Sequence, residues 1–481
     1  MAIVAIDQGT TSTRALVLNE DGSTRIARAI EHRQIYPQSG WVEHDPEELL
    51  ANVIGCAEAA PGCAAIGIDN QGESCLAWDA ETKEAVTPVI VWQDTRTEPQ
   101  IDRLKAEGAE ALVLDRAGLP LDSYFSASKL AWILTQVPEA GRLHAARRLR
   151  LGTTDAFFLD RLTGRFVTDV TTASRTSLMN LGTRAWDPDL CALFGVPPET
   201  LPDIVPSTGE FGTLTLEQGS VPVLASIVDQ QAALYGHGCR RPGDTKVTFG
   251  TGAFALTVTG PNILTAPEEG LLPTIAWQKS GEAPVYALDG GIYTASAAVN
   301  WAERLGLFDG VSDLDTLAGT SAIESGLVFV PALSGLACPH WDRQARGAWF
   351  GLSLEHGSDD LTKAVLEGVA FRAAEVVGAM QVRSGADGPL SIDGGLTNNA
   401  YFNGFLADIL EREIRVSREP ELTARGTAEL VADCLGIAIA SPAPNSVLRP
   451  EQKRLGARKQ FAEAVRLARA WGETGRSTPR V

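Results

Sequence analysis

Two segments, half a chain apart, share one local plan, and that repetition narrows the folds open to this chain of 481 residues. In the first, the apolar run Ile3-Val4-Ala5-Ile6 enters Asp7-Gln8-Gly9-Thr10-Thr11-Ser12-Thr13-Arg14. In the second, Lys246-Val247-Thr248-Phe249 enters Gly250-Thr251-Gly252, and Ala253–Val258 reads as the returning strand. Apolar, β-branched runs separated by Gly and Thr are strand–turn–strand signals. A second pair of segments matches too. Ala65–Gln71 and Leu390–Gly395 are short apolar runs ending in Asp beside glycine or a small polar residue. Matched strands with matched loops imply two similar domains facing a shared cleft.

The turns carry chemistry. An aspartate at the tip of a buried strand is costly unless it holds a cation or a set of N–H donors. Gly9, the hydroxyls of Thr10, Thr11 and Ser12, and neighbouring backbone N–H groups suit a phosphate cradle, with Asp7 as a magnesium anchor. The same residues also fit a tight hairpin with a capping aspartate. Gly250–Ala255 matches G-x-G-x-x-A, but that fingerprint must open a helix, and the residues after it are β-type. The chain has no G-x-x-x-x-G-K-[ST] motif. Nucleotide binding therefore comes from the paired hairpins or not at all.

Composition sets the outer limits. At ~150 residues per domain, the chain holds about three units or two large ones. Its net charge of −19 argues against a nucleic acid or an anionic membrane surface as partner. The seven cysteines form no Cys-x-x-Cys pair, which fits a reducing compartment. The six histidines form no close ligand set, so no structural zinc is expected. No apolar run approaches the ~18 residues of a membrane span, and no basic leader precedes the first strand. A cytoplasmic protein is expected.

Periodicity predicts helices at Glu47–Ala60, Ser128–Gln136, Asp155–Asp160, Thr294–Leu305, Asp359–Gln381 with Ser358 as cap, Asn399–Leu410 and Thr427–Ile439. Strands are predicted at 14–18, 64–68, 89–92, 221–225 and 414–416. Leu361, Val365, Val369, Val376 and Met380 form one apolar stripe, read as core. Asp187–Gly219 is a polar, proline-rich separator, and 450–481 reads as a fraying surface helix. Asp229, after Ile227-Val228, reads as the N-cap of a helix Gln230–Tyr235. A boundary near residue 238 gives domains 1–238 and 239–481.

Several motifs, in order from residue 3 to about 440, resemble the glycerol kinase-like members of the FGGY carbohydrate kinase family. They are Asp7–Arg14, Tyr36–Pro46, Val91–Thr97, Asp229–Gly236, Gly250-Thr251-Gly252, Pro339–Asp342 with Ala345-Arg346-Gly347, and Asp393-Gly394-Gly395. The resemblance implies an α/β fold of two ribonuclease-H-like domains, of the actin and hexokinase type, around a cleft for ATP and substrate. It implies phosphorylation of a polyol, glycerol first, with ATP and Mg²⁺, by a homodimer or homotetramer. Asp229 matches the general base and otherwise reads as a helix cap. Gln230, Glu73, Tyr124, Trp92 and Phe254 match substrate contacts. Thr10, Thr11, Ser12, Arg14 and Thr251 match phosphate contacts, and Asp7 the magnesium site. Gly395 and Asn399 match the nucleoside side, as do Ser296 and Asn300, which stand where the family has glycine and glutamine. Two departures stand out. Gly72 replaces an arginine that binds substrate hydroxyls, which opens the alternative of a longer polyol or ketose such as erythritol or xylulose. The loop Leu214–Val221 lacks the Gly/Arg cluster that binds a sugar bisphosphate regulator in some relatives.

Overall fold

The computed structural model describes residues 2–217, 219–417, 419–440 and 443–474. Strands β1 (Ala2–Gln8), β2 (Ser12–Asn19) and β3 (Thr24–Glu31) form an antiparallel meander. Helix α1 (Pro46–Glu58) leads to β4 (Ala65–Asn70), which runs parallel to β1 with Asp69 opposite Asp7. Later, β5 (Thr213–Leu216) turns antiparallel into β6 (Gly219–Val228), and β6 lies parallel to β4. The resulting six-stranded order is β3-β2-β1-β4-β6-β5.

Helix α2 (Asp229–Gly236) carries the chain to the second sheet. There β7 (Thr245–Phe249), β8 (Ala253–Gly260), β9 (Leu272–Trp277) and β10 (Val285–Ile292) are antiparallel neighbours in the order β9-β10-β8-β7. Helices α3 (Ser296–Arg304) and α4 (Ser358–Ser384) precede β11 (Leu390–Asp393), which is parallel to β7. Then β12 (Ile414–Val416) follows in parallel, and after helix α5 (Leu422–Cys434) strand β13 (Ser446–Leu448) closes the edge antiparallel. Helix α6 (Ala457–Thr474) ends the described chain. Apart from the extra edge strand β9, the second sheet repeats the first: a meander, two parallel strands, one antiparallel edge. The two Asp-ended strands singled out in the sequence, β4 and β11, occupy the same place in each sheet.

Strand β4 is buried along its whole length because both faces of the sheet are covered. Alternation decides which residue meets which layer. Val4, Ile6, Ile66 and Ile68 pack with Leu49 and Val53 of α1 and with Phe157 and Phe158. Ile3, Ala5 and Ala65 pack with Ala424, Ala428 and Val431 of α5 and with Ala232 of α2. Helix α5 thus comes from the second half of the sequence and covers the first sheet. Where α2 and α5 cross, only glycine fits: a Cβ at Gly426 would stand 1.9 Å from the Ala232 carbonyl oxygen, and one at Gly236 2.0 Å from that of Leu422.

Several local expectations need correction. Asp229 begins α2 instead of capping it; Val228 holds the cap position. Ser358 is the first residue of α4, and Gly357 precedes it as cap. The helix expected at Thr427–Ile439 starts five residues earlier and stops at Cys434, before Gly436 turns left-handed with φ +70. Helix α4 is buried nearly all round, with Thr362, Lys363, Glu367 and Arg372 enclosed as well as the apolar stripe. The separator 187–219 contains a capped helix, Pro188–Phe194, and strands Asp203–Val205 and β5. Gln218 of the loop Leu214–Val221 lies outside the described residues, as do residues 475–481 of the tail. Helix α6 is no loose surface helix: it buries Phe461, Ala464, Val465 and Ala468, and Phe461 stacks on Phe371 at 4.6 Å.

Candidate active site

The ends of β1, β4 and β6 converge because parallel strands deliver their C-terminal residues to one edge. That edge collects Asp7, Asp69 and, one residue past β6, Asp229. The Asp7 and Asp69 carboxyls are hydrogen-bonded to each other, and burial raises both above the usual carboxylate range. Asp69 Oδ2 also accepts from Thr427 Oγ1 of α5 at 2.7 Å, while Oδ1 is buried without a partner. Sequence reasoning missed Asp69 and Thr427, although the matched Asp-ended segments pointed at Asp69.

Asp229 is partly exposed and accepts from the Gln230 N–H at 2.6 Å. Burial, then the negative charges of Glu73 and Asp7, push its carboxyl up to about 7. A carboxylate poised there exchanges a proton at neutral pH. Gln230 beside it has its orientation fixed: Lys246 Nζ of β7 donates to Gln230 Oε1 at 2.7 Å, which leaves the amide NH₂ as donor. Lys246 is wholly buried and also donates to Thr248 Oγ1 at 3.1 Å.

Glu73 sits with φ +60, an uncommon backbone state for a non-glycine residue. The turn is held by Ser126 Oγ, which donates to the Glu73 carbonyl at 3.0 Å. Its carboxylate accepts from Arg175 Nε at 2.7 Å. Tyr124 packs edge-on against Trp92 with ring centroids 5.6 Å apart. Buried Lys129 fixes that loop by donating to the Ser123 and Tyr124 carbonyls at 3.0 and 2.6 Å. Burial and the charge of Glu73 raise the Tyr124 phenol far above its ordinary value, so it stays protonated and able to donate. Trp92 Nε1 donates to Thr10 Oγ1 at 3.2 Å, which ties this wall to the first hairpin. Phe254 of β8 pairs across from Gly291 and is partly exposed.

The two hairpins differ in how their turns are held. In the first, His32 Nε2 donates to the Thr10 carbonyl at 2.8 Å and the Gln34 amide donates to the same oxygen. Thr11 is exposed, and Thr10 and Ser12 are partly so. In the second, the Ala295 N–H donates to the Thr251 carbonyl at 2.9 Å and the Ser296 N–H to that of Gly250 at 3.1 Å. The start of α3 therefore docks on this turn, with Thr251 exposed and Asn300 exposed one turn further on. Gly394 has φ +98, and a Cβ there would lie 2.2 Å from the Phe249 carbonyl oxygen. Gly395 faces open space, where an added Cβ would meet nothing within 4 Å.

Two expected contacts are otherwise engaged. Asn399 caps the helix Ala400–Leu410: Oδ1 accepts from the Phe402 N–H at 2.8 Å, and Nδ2 donates to the Leu314 carbonyl at 2.9 Å. The amide carries a second N–H and a second lone pair besides these. Arg14 Nη1 is held by Glu421, at 2.8 and 3.0 Å from the two carboxylate oxygens.

Family models divide this chain in sequence as the sheets divide it in space. The FGGY family of carbohydrate kinases, N-terminal domain, matches residues 2–236, and the C-terminal domain of the same family matches 245–442. The chain belongs to the FGGY family of carbohydrate kinases. A glycerol kinase of Koribacter versatilis is 40% identical, over 98% of this chain and 96% of its own. One of Haloferax volcanii is 41% identical over 88% of each. Among solved structures, Plasmodium falciparum glycerol kinase with ADP superposes with TM-score 0.88 at 28% identity, covering 100% of this chain and 99% of that one. A ligand-bound xylulose kinase of Lactobacillus acidophilus superposes with TM-score 0.86 at 21% identity, over 99% of each chain, a likeness of fold alone. In this FGGY kinase the carboxylates share one strand edge of the first sheet, and Trp92 joins the aromatic wall to the first turn.

Proposed function

We propose that this protein transfers the γ-phosphoryl group of ATP to a hydroxyl of glycerol. The observation that carries the reading is Asp229. It is a carboxylate with its pKa raised to about 7, beside Glu73 and at the same strand edge as Asp7. In this mechanism Asp229 accepts the hydroxyl proton as phosphoryl transfer proceeds, a reaction governed by positioning and charge neutralisation. Glu73 accepts from substrate hydroxyls. The Gln230 NH₂ and the Tyr124 OH donate to them, and Trp92 and Phe254 line the carbon chain. Thr10, Thr11, Ser12 and Thr251 donate to the phosphates from the two turns, with Arg14 beside them. Gly395 leaves room for adenosine near Ser296 and Asn300.

The acidic edge suits a magnesium ion. Among the described residues no group of three or more His, Cys, Asp or Glu gathers as a metal cage. Two carboxylates, Asp7 and Asp69, stand together, and Asp69 keeps one unpartnered oxygen. Magnesium retains water and phosphate oxygens and takes one or two carboxylates, which matches this donor set. When bound, it would neutralise charge on the phosphates.

The longer-substrate reading required room at Gly72. A Cβ there would stand 2.7 Å from Val228 Cγ2, so any side chain at this position must displace Val228, and the match to glycerol kinases at about 40% identity favours glycerol. We further read residues 1–238 and 239–481 as the two lobes, the assembly as a homodimer or homotetramer, and the compartment as the cytoplasm. All seven cysteines are unbridged, and no described helix is long and apolar enough to cross a membrane. The deciding experiment is coupled ADP release with Mg²⁺ and ATP across glycerol, erythritol and xylulose. Glycerol should give the highest kcat/KM. ADP release independent of every alcohol offered would refute the proposal.

A further inference from the structure

Gly72 leaves the substrate wall without the arginine implied by the resemblance, yet a different guanidinium stands at the same carboxylate. Arg175 follows the short helix Val170–Ala173 and is almost wholly enclosed, with the Phe125 and Tyr124 ring centroids 5.5 and 6.0 Å from its Cζ. Its Nε donates to Glu73 Oε1 at 2.7 Å, and one Nη lies 3.0 Å from Asp289 Oδ2. Asp289 belongs to β10, in the other half of the chain, so the ion pair joins the two lobes. Two buried atoms of this group have no partner: Arg175 Nη1 and Asp289 Oδ1. Unmet buried polar groups are uncommon in folded proteins and call for an explanation. Here one is a donor and the other an acceptor. A hydroxyl both donates and accepts, so a hydroxyl can satisfy such a pair.

We propose that Arg175 and Asp289 are specificity-determining residues of the polyol site: a substrate hydroxyl accepts from Arg175 Nη1 and donates to Asp289 Oδ1. The inference rests on the kinase reading above. It assigns to Arg175 the hydroxyl-binding duty that an arginine at position 72 would perform from another direction. Because the couple draws one residue from each lobe, a hydroxyl held there favours their approach.

The test uses the full chain and two conservative variants. Arg175→Lys keeps the charge and loses the planar fork. Asp289→Asn keeps the shape and loses the anion, and neither leaves Glu73 facing an empty cavity. Steady-state ADP release gives KM for glycerol and for ATP. Melting curves with and without glycerol, in the absence of nucleotide, report binding independently of turnover. Each variant should raise KM for glycerol by roughly ten- to a hundredfold, as expected for a lost hydrogen bond to a charged group, and should abolish the glycerol-dependent melting shift. KM for ATP should stay within about twofold. An unchanged KM for glycerol overturns the proposal. So does a parallel rise in both KM values with a collapse of the unliganded melting temperature, which would mark the ion pair as purely structural. A wild-type protein that glycerol stabilises but that does not phosphorylate it defeats the kinase reading alone. One that neither binds nor phosphorylates glycerol defeats both.

Discussion

Replacing Asp229 by asparagine should stop catalysis while making the protein more stable at alkaline pH. Asn keeps an Oδ1 to accept from the Gln230 N–H, now 2.6 Å from the carboxylate, so the start of α2 is preserved. The base is gone, and kcat should fall by ~10²–10⁴. The stability effect follows from linkage. The carboxyl titrates near 3.9 in an unfolded chain and at about 7 in the fold. As pH rises between those values the unfolded state gives up its proton first. The folded state then holds more protons, and stability declines. A shift of about three units is worth at most ~4 kcal/mol, and less here because Asp229 is partly solvent-facing. Calorimetry should therefore show Asp229→Asn melting higher than wild type at pH 8, with the advantage shrinking towards pH 4. In parallel, kcat/KM of the wild type should climb about tenfold per pH unit below ~7 and flatten above it. Magnesium beside Asp7 would lower that midpoint by offsetting a neighbouring negative charge. Near-normal kcat in the variant, or a melting temperature at pH 8 several degrees below wild type, would refute the reasoning.

Further substitutions follow from the packing. Gly426→Ala gains roughly 1 kcal/mol of helix propensity, but its Cβ would stand 1.9 Å from the Ala232 oxygen; the clash should win and lower both melting temperature and kcat. Gly404→Ala, where the added Cβ meets nothing within 4 Å, is the control and should not destabilise. Phe461→Ala removes the ring stacked on Phe371 at 4.6 Å and should cost ~3–5 kcal/mol by denaturant titration, whereas a fraying tail would lose nothing. Gly72→Arg should reduce kcat/KM for glycerol, since Val228 Cγ2 lies 2.7 Å from the new Cβ, and adding Val228→Ala should restore part of it; a gain from Gly72→Arg alone would show that the wall yields more easily than its packing implies.

Much of the architecture was legible because it is local and repeated. Each strand–turn–strand unit announces itself within a dozen residues, and the Asp-ended runs at 69 and 393 pair correctly with their hairpins because the alternation of apolar residues dictates register. Helix ends were less legible. Thr427 looks like a start, yet its hydroxyl is spent on Asp69, 358 residues away in sequence. Gly436 was read through as helix although its left-handed φ ends one. Asn399 shows a role that its match to a nucleoside contact did not signal: it caps a helix, and its amide bonds Phe402 and Leu314. Arg175 could not be found from spacing, since its partners lie 102 and 114 positions away, at residues 73 and 289. Lys246 was visible only as part of a strand, and nothing local shows that it aims the Gln230 amide.

The position of α5 in the chain has a consequence for how the protein is made. Ile3, Ala5 and Ala65 are covered by Ala424, Ala428 and Val431, which are synthesised last but for β13 and α6. On the ribosome the first sheet must wait, with one apolar face bare, until nearly the whole polypeptide has emerged. Such an exposed face invites misassociation and chaperone binding. The first lobe, although it is translated first, is among the last to be finished.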